Sequence, residues 1–446
     1  MPAITFDITS ADEATLADLH ESLRAEHQAL IATGLTLDLT RGKPSPAQLD
    51  LSAPLLSLPN AGDYVANDGT DCRNYGGLTG IQEIRELWGQ IFAIPAGQVI
   101  ESGNSSLALM HDCLTNFTLA GTSVDSAPWG RTTGGAAVLC PVPGYDRHFT
   151  ILEGLGIRMI NVPMLDDGPD VDVVRQLAAA DESIKGIWAM PSYSNPTGAL
   201  YSTDVARALA EMPTAAADFR ILWDNAYAVH HLTDAEPAVP DILSLCAAAG
   251  NPDRVVIFGS TSKITSAGSG LSFFGGSPHN VAWLQRYLFR RTIGPDKINE
   301  LRHYRFLPDV ESVRALMRRH REIIAPKFTT VLDILEQRLA GTGTATWTKP
   351  TGGYFISLDA LPGTASRVVE LAKQAGIALT PAGATFPYGN DPEDRNIRIA
   401  PTFPSLADVA SATEGLAVCL LLAAVEARLG AVSASGSLST APAGSV

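Results

Sequence analysis

The chain has 446 residues, of which 46% are hydrophobic and 18% are charged, a composition that indicates a folded globular protein and excludes a disordered one. Its 47 acidic and 32 basic residues give a net charge of −15, so repulsion from a phosphate backbone argues against a nucleic-acid partner. The five cysteines include no CxxC pair, which disfavours a disulfide framework or a structural zinc site and predicts a reducing, cytoplasmic location.

The two ends of the chain give no sign of a membrane or of export. Residues 1–10 lack a basic start followed by an apolar segment, so no secretory signal is expected. The longest apolar run, 416–425, is shorter than the roughly 20 residues that a membrane span needs, and it predicts a buried helix. Residues 431–446 are rich in Ser, Ala and Gly and are predicted to form a disordered tail.

The first predicted element is a helix over residues 10–30. Ser10 and Glu13 have the spacing of a capping box, and leucines then recur on one helical face. A turn is predicted at 41–44, where Gly and Pro punctuate the chain.

From about residue 75, short apolar runs alternate with polar loops and helical stretches. The runs lack polar alternation, which is typical of parallel strands buried on both faces of a sheet. Ligands of such sheets lie at the carboxyl ends of the strands, and distinctive polar residues follow each of these runs. The four runs are 136–140, 184–190, 220–223 and 255–258.

The pattern changes after about residue 326, where a helical face is followed by Gly-rich strand-like segments. We therefore predict an α/β protein with a large domain built on a mostly parallel sheet and a smaller α+β domain. The predicted divisions are an N-terminal arm with part of the small domain (1–70), the large domain (71–321), the small C-terminal domain (322–430) and the tail (431–446).

Several residues just after the predicted strands could carry chemistry. Lys263 lies in a loop of small residues, where desolvation would lower its pKa and make it a nucleophilic amine. Asp224 could hold a protonated ring nitrogen, while Tyr227 and Asn195 could donate to a ring oxygen. Each residue alone is more often a solvated lysine or a turn and capping residue. Together they suit pyridoxal phosphate (PLP).

A phosphate-binding element is predicted in the loop over residues 102–106. Asn104, Ser105 and Ser106 open a helix, and the N–H groups and hydroxyls at such an end suit an anion. A simple helix cap explains the same residues equally well.

These motifs resemble those of fold-type I PLP-dependent aminotransferases. Four of them occur in that family's order, the resemblance covers roughly residues 35–430, and Gly42 and Tyr75 also fit its pattern. Longer strings at 39–44, 141–149 and 223–230 are similar to the type Ic aspartate aminotransferase subgroup. The four motifs are 194–198 with Asn195, Asp224-x-x-Tyr227, Ser260-x-x-Lys263 and Asn396-Ile397-Arg398.

The resemblance implies a role for each matching residue around the cofactor. Lys263 would carry the cofactor covalently and later move the Cα proton. Asp224 would keep the pyridine nitrogen protonated, and Tyr227 and Asn195 would bond the phenolic oxygen. Tyr145 would stack on the ring. The residues implied to hold the phosphate are Asn104, Ser105, Ser106, Ser260 and Ser262, with Tyr75 arriving from the partner subunit of a homodimer.

For the substrate, the resemblance implies that Arg398 binds the α-carboxylate through its planar fork, with Gly42 and Asn195 also on the substrate side. We add Arg147 as the cation that pairs with a side-chain carboxylate, because it lies two residues after Tyr145. A surface arginine packed on His148 is the alternative. The expected reaction is PLP-dependent transamination of L-aspartate or glutamate with 2-oxoglutarate.

One departure from the family concerns the phosphate. Aminotransferases commonly carry an arginine several residues after the lysine, and residues 264–273 contain none. Lys297 is a candidate replacement, although a solvated lysine at a helix start is the more common situation.

Other functions remain open at this stage. Within PLP chemistry these are an aminotransferase for aromatic amino acids or kynurenine, a C–S lyase and a decarboxylase. Ser260-x-x-Lys263 also matches penicillin-binding proteins, but their motif order is reversed here. A transcription regulator would need a DNA-binding domain, for which the roughly 35 preceding residues are too few. His230 and His231 lack metal-ligand spacing, so no metal is predicted.

Overall fold

The computed structural model describes residue 4 and residues 6–438, with side chains as far as residue 431. The helices are α1 (Glu13–Thr33), α2 (Pro46–Asp50), α3 (Gln82–Phe92), α4 (Ser106–Ala120), α5 (Asp146–Gly154), α6 (Val171–Ala180), α7 (Thr203–Glu211), α8 (Ile242–Ala248), α9 (Pro278–Arg291), α10 (Lys297–Phe306), α11 (Val310–Leu339), α12 (Ala365–Gln374) and α13 (Leu406–Leu438). The strands are β1 (Leu37–Asp38), β2 (Val99–Glu101), β3 (Ala137–Val142), β4 (Arg158–Leu165), β5 (Gly168–Pro169), β6 (Ile184–Ala189), β7 (Arg220–Asp224), β8 (Val255–Ser260), β9 (Ser272–Gly276), β10 (Ala345–Trp347), β11 (Ile356–Ala360), β12 (Ile377–Ala378) and β13 (Asn396–Ile399).

The central sheet has the strand order β2-β9-β8-β7-β6-β3-β4-β5. Its middle is parallel, from β8 through β7, β6 and β3 to β4, and the pairs at its edges are antiparallel. The four apolar runs are therefore confirmed as neighbouring parallel strands, and the α/β fold class is confirmed with them. Their carboxyl ends share one edge of the sheet.

Both faces of this sheet are buried. Along β7, Ile221 packs into one apolar cluster and Leu222 into another, because successive side chains of a strand point to opposite faces. The same alternation separates Ile187 from Trp188 on β6. A strand covered on both sides has no need for polar alternation, which is why these segments are almost entirely hydrophobic.

A second core is built around the antiparallel sheet β10-β11-β13 and the parallel pair β1 and β12. Helix α1 packs here against α13, with Leu16 and Leu23 buried, so the N-terminal segment joins the C-terminal lobe. Helix α11 connects the two cores: Val313 belongs to the first and Phe328 to the second. The predicted boundary at 321/322 falls inside this continuous helix. The division into domains stays a prediction, which the two cores support.

Two predicted helix ends differ in the structure. Asp12, rather than Ser10, caps α1, since its carboxylate accepts a 2.8 Å hydrogen bond from the Thr15 backbone N–H. Ser10 instead ends a preceding 3₁₀ turn. Helix α13 extends to Leu438, into the segment predicted as a tail. Residues 439–446, also predicted to be disordered, lie outside the described residues.

The predicted buried helix over 416–425 forms the middle of α13. The stretch Leu406–Ala431 is apolar enough to cross a membrane by length and composition, yet 78% of its most apolar window is buried inside the protein. It packs against α1, α11 and α12, so its hydrophobicity is explained by its place in the second core.

Candidate active site

A cleft of about 500 Å³ opens where the carboxyl ends of the parallel strands face the smaller lobe. It brings together residues from distant parts of the chain, as the sheet topology requires. The residues predicted for the site that line it are Gly42, Ser106, Tyr145, Arg147, Asn195, Asp224, Tyr227, Lys263 and Arg398.

Asp224 ends strand β7 and is almost fully buried. Its Oδ2 lies 2.9 Å from Nε2 of His148, whose ring stacks on Trp188 with centroids 3.8 Å apart. Among the described residues, its Oδ1 has no hydrogen-bond partner. A buried, unpaired carboxylate oxygen is costly, so this atom is suited to accept a hydrogen bond from a ligand in the cleft.

Lys263 follows β8 in a loop that other elements hold in place. Thr261 Oγ1 accepts a 2.8 Å hydrogen bond from the Leu271 N–H, and Tyr354 OH lies 3.4 Å from the Lys263 carbonyl. The lysine side chain is half-buried at the cleft. Burial lowers the pKa of its amine, and the Asp224 carboxylate acts in the opposite direction. A lowered pKa increases the fraction of nucleophilic free amine.

The two tyrosines of the cleft are held in their protonated form. Burial raises the pKa of Tyr145 to about 12, and Asp224 adds to this effect. Burial also raises the pKa of Tyr227, with further contributions from Tyr145 and Tyr354. The Lys263 Nζ lies 4.9 Å from the centroid of the Tyr227 ring. Tyr227 is therefore a phenol donor beside the amine.

Arg398 on β13 brings a cation into the cleft from the smaller lobe. Only 5% of it is exposed, and its Nη1 donates to Asp146 Oδ1 at 2.8 Å and to Asn195 Oδ1 at 3.4 Å. Because Asn195 accepts through Oδ1, its amide N–H₂ group is left to donate to a ligand. The guanidinium carbon lies 5.0 Å from the centroid of the Phe355 ring.

The loop that carries Gly42 lies directly over this ring. A Cβ atom at Gly42 would come within 2.5 Å of Phe355 Cζ, so only glycine allows the approach. Thr40, in the same loop, accepts hydrogen bonds through its carbonyl from Arg398 Nη2 and from Thr380 Oγ1. The loop thereby closes one side of the cleft.

Arg147 is exposed at the edge of the cleft, on the first turn of α5. It also lines a neighbouring depression of about 520 Å³ with Ser105 and His111. Its predicted pairing with a substrate carboxylate stays a prediction.

Of the residues predicted to hold a phosphate, Ser106 lines the cleft at the start of α4 and the others lie beside it. The side chain of Asn104 donates to the Gly268 carbonyl, and Ser105 caps α4. Ser260 ends β8, and Ser262 directly precedes Lys263. Their roles stay predictions.

Lys297 and Arg302, both on α10, donate to backbone carbonyls of loops. Lys297 is buried rather than solvated, and its Nζ donates to the carbonyls of Asn74 and Gly76 at 2.8 and 2.7 Å. It therefore holds the loop of Tyr75, whose side chain is 81% exposed. Arg302 on α10 donates to the Ser269 carbonyl at 3.2 Å, in the loop that follows Lys263.

Sequence reasoning assigned no site role to His148, Asp146, Thr40 or Thr380. His148, Asp146 and Thr40 reach their partners across more than 70 positions of sequence, and Thr380 reaches Arg398 across 18. No local pattern reveals such pairings. The only available signal was that Asp146 and His148 follow Tyr145 at a strand end.

The adjacent histidines serve packing and local hydrogen bonding. His230 is buried against the edges of Tyr227 and Tyr354, and burial lowers its pKa well below the usual range. His231 Nδ1 lies 2.6 Å from the Tyr193 hydroxyl. Across the described part of the chain, no cluster of three or more His, Cys, Asp or Glu side chains has the arrangement of a metal site.

The donor set fits PLP. The free Oδ1 of Asp224 suits a ring N–H⁺, Tyr227 and Asn195 offer hydrogen bonds, and Lys263 offers the amine. This fold and site define a fold-type I PLP-dependent aminotransferase.

Comparison with known proteins places the chain within this class. The model of the aspartate amino-transferase family matches residues 11–432. An aspartate aminotransferase of Corynebacterium glutamicum is 52% identical over 91% of this chain and 94% of its own length. The chain belongs to the aspartate amino-transferase family.

Solved structures agree. The crystal structure of an aspartate transaminase from Corynebacterium glutamicum superposes with a TM-score of 0.93 at 50% identity, covering 95% of this chain and all of that one. An α-aminoadipate aminotransferase from Thermus thermophilus, complexed with N-(5'-phosphopyridoxyl)-L-leucine, has a TM-score of 0.70 at 20% identity, covering 89% and 93% of the two chains. The second similarity supports the fold alone.

Proposed function

We propose that this enzyme transfers the amino group of L-aspartate or glutamate to 2-oxoglutarate and that aspartate yields oxaloacetate and glutamate. The observation that carries the proposal is the buried, unpaired Oδ1 of Asp224 in one cleft with the Lys263 amine and the Arg398 guanidinium. The 52% identity to an aspartate aminotransferase supports the choice of substrate.

PLP, when bound, supplies an electron sink next to the substrate Cα. Asp224 would hold a proton on the ring nitrogen through Oδ1, and His148 fixes the carboxylate through Oδ2. Tyr227 and the Asn195 amide would donate hydrogen bonds to the ring oxygen. Tyr145 would cover the ring face, and the N-terminus of α4 at Ser106 would offer N–H groups to the phosphate.

Arg398 binds the substrate α-carboxylate, and this fixes the Cα near the Lys263 amine. That amine would take up the Cα proton and later give it back, acting first as a base and then as an acid. Its lowered pKa keeps it available as a base. The 2-oxoacid would leave before the second substrate enters, which is a ping-pong sequence.

The test is a half-reaction on the purified holoenzyme. L-Aspartate added without an acceptor should convert the visible absorbance of the lysine-bound cofactor to that of its amine form, with one oxaloacetate released per site. Glutamate should do the same, whereas alanine, phenylalanine and kynurenine should react far more slowly. Equal rates with an aromatic donor would contradict the substrate assignment but leave the aminotransferase chemistry intact.

Substitution R147L should discriminate between dicarboxylic and small donors. Loss of a charge-assisted hydrogen bond costs about 1.5–3 kcal/mol, equivalent to a 10- to 150-fold loss in kcat/KM for aspartate. Activity with alanine should change little. The matched control is R175L, an exposed arginine on α6 that pairs with Asp172. An equal loss on aspartate and alanine would exclude Arg147 as the specificity cation.

We also propose a homodimer with composite sites. The support is the exposed Tyr75 ring, in a loop that Lys297 holds through two carbonyls. Co-expressed K263A and Y75A chains should form hybrids with one native site, so their activity should exceed that of either variant alone. Light scattering should give a dimer mass. A monomer, or activity that never exceeds the better variant, would contradict shared sites.

We place the enzyme in the cytoplasm. The five cysteines are all free and buried, which suits a reducing compartment.

A further inference from the structure

The buried guanidinium of Arg398 in the cleft already forms an ion pair with a carboxylate of the protein. Arg398 is 5% exposed, and a buried guanidinium without a counter-charge is unfavourable. Its Nη2 contacts neutral oxygens, the Thr40 carbonyl at 3.4 Å and Thr380 Oγ1 at 3.3 Å. The carboxylate in contact is that of Asp146, 2.8 Å from Nη1. Asp146 therefore neutralises Arg398 in the free enzyme.

Asp146 is placed so that it can leave this contact. It is the first residue of α5, and its side chain is 30% exposed while that of Arg398 is 5% exposed. Both residues line the cleft. Rotation of the Asp146 side chain toward solvent would cost little, whereas Arg398 is held from two sides by Thr40 and Thr380. A substrate carboxylate entering the cleft meets a guanidinium whose Nη1 is already engaged.

We propose that Asp146 is an internal counter-ion that occupies Nη1 of Arg398 in the free enzyme and is displaced by the substrate α-carboxylate. This inference rests on the proposed role of Arg398 as the α-carboxylate receptor. The exchange replaces one carboxylate by another, so the buried guanidinium is never left without an anion. It also lets Asp146 return as the product departs, which favours release.

The exchange lowers the apparent affinity for every carboxylate ligand. When a competing state holds about 90% of the free enzyme, the apparent Kd is about tenfold weaker than the intrinsic one. Removing the Asp146 charge should therefore lower the apparent Kd by about tenfold. An orienting residue would behave in the opposite way, because its loss would leave Arg398 misplaced and weaken binding.

The experiment uses the holoenzyme and maleate, an unreactive dicarboxylate, with the Kd measured by calorimetry. D146N should bind maleate about tenfold more tightly than the wild type, and its KM for aspartate should fall by a similar factor. Its kcat should stay level or decrease as release slows. D146A, which has no polar group to hold Arg398, should also bind more tightly. Circular dichroism confirms that α5 is intact in both.

The matched control is D234N, which removes an exposed carboxylate paired with Arg321 outside the cleft and should leave the Kd and KM unchanged. Weaker or unaltered maleate binding in D146N and D146A would overturn the proposal. Failure of the proposed function has another signature: if R398L binds maleate as well as the wild type does, Arg398 is not the carboxylate receptor and both conclusions fail.

Discussion

Replacement of Lys263 by alanine is expected to abolish turnover and to remove the covalently held cofactor. The amine is the one nucleophile in the described cleft placed beside Tyr227, and its pKa is lowered by burial. Proton transfer by a positioned base alone contributes about 10²- to 10⁴-fold to a rate. K263A loses that contribution together with the covalent attachment that positions the cofactor.

The measurement combines borohydride reduction, dialysis and peptide mass spectrometry with a single-turnover assay. The wild type should carry the reduced cofactor on the peptide that contains Lys263, and K263A should carry none. K349A is the control, since Lys349 is an exposed lysine paired with Glu336. A cofactor found on another lysine in K263A, or in the wild type, would refute the site.

The parts of the fold that could be predicted are those governed by local pattern. The apolar runs that became β3, β6, β7 and β8 lack polar alternation because both faces of the sheet are covered. Local pattern did not fix the start of α1, because Ser10 and Asp12 are both good capping residues. In the structure Asp12 caps α1, and Ser10 ends the preceding 3₁₀ turn, in which Ile8 is buried.

The same distinction applies to the site. Asp224 ends a strand, and Asn195 and Lys263 follow strands, so topology alone brings them to one edge of the sheet. The contact between Asp146 and Arg398 joins residues on opposite lobes, and the sequence contains no signal for it. For Lys297 the sequence did give an expectation, and the structure differs from it. Its place at the start of α10 suggested a solvated side chain, yet the fold buries it against two carbonyls.

Replacement of Asp224 by asparagine is expected to reduce kcat by about three orders of magnitude while the protein still folds. Oδ1 is a buried acceptor in the cleft without a partner among the described residues, and the carboxylate charge is what would hold a proton on the ring nitrogen. Two unit charges about 4 Å apart at an effective dielectric constant near 20 interact by about 4 kcal/mol, equivalent to roughly three pKa units of the ring nitrogen. Without that proton the ring accepts electrons poorly.

Stopped-flow measurement of the aspartate half-reaction isolates this step from product release. D224N should bind maleate normally, because Arg398 is unchanged, and the loss should fall on the rate of conversion. The control is D218N: Asp218 is a partly buried carboxylate just before β7 that pairs with Lys185 and the Trp129 indole N–H outside the cleft. D218N should lower thermal stability and leave the rate intact. A D224N rate within tenfold of the wild type would mean that the proton on the ring nitrogen does not depend on this carboxylate. The contact of His148 with the other carboxylate oxygen would then have no effect on catalysis.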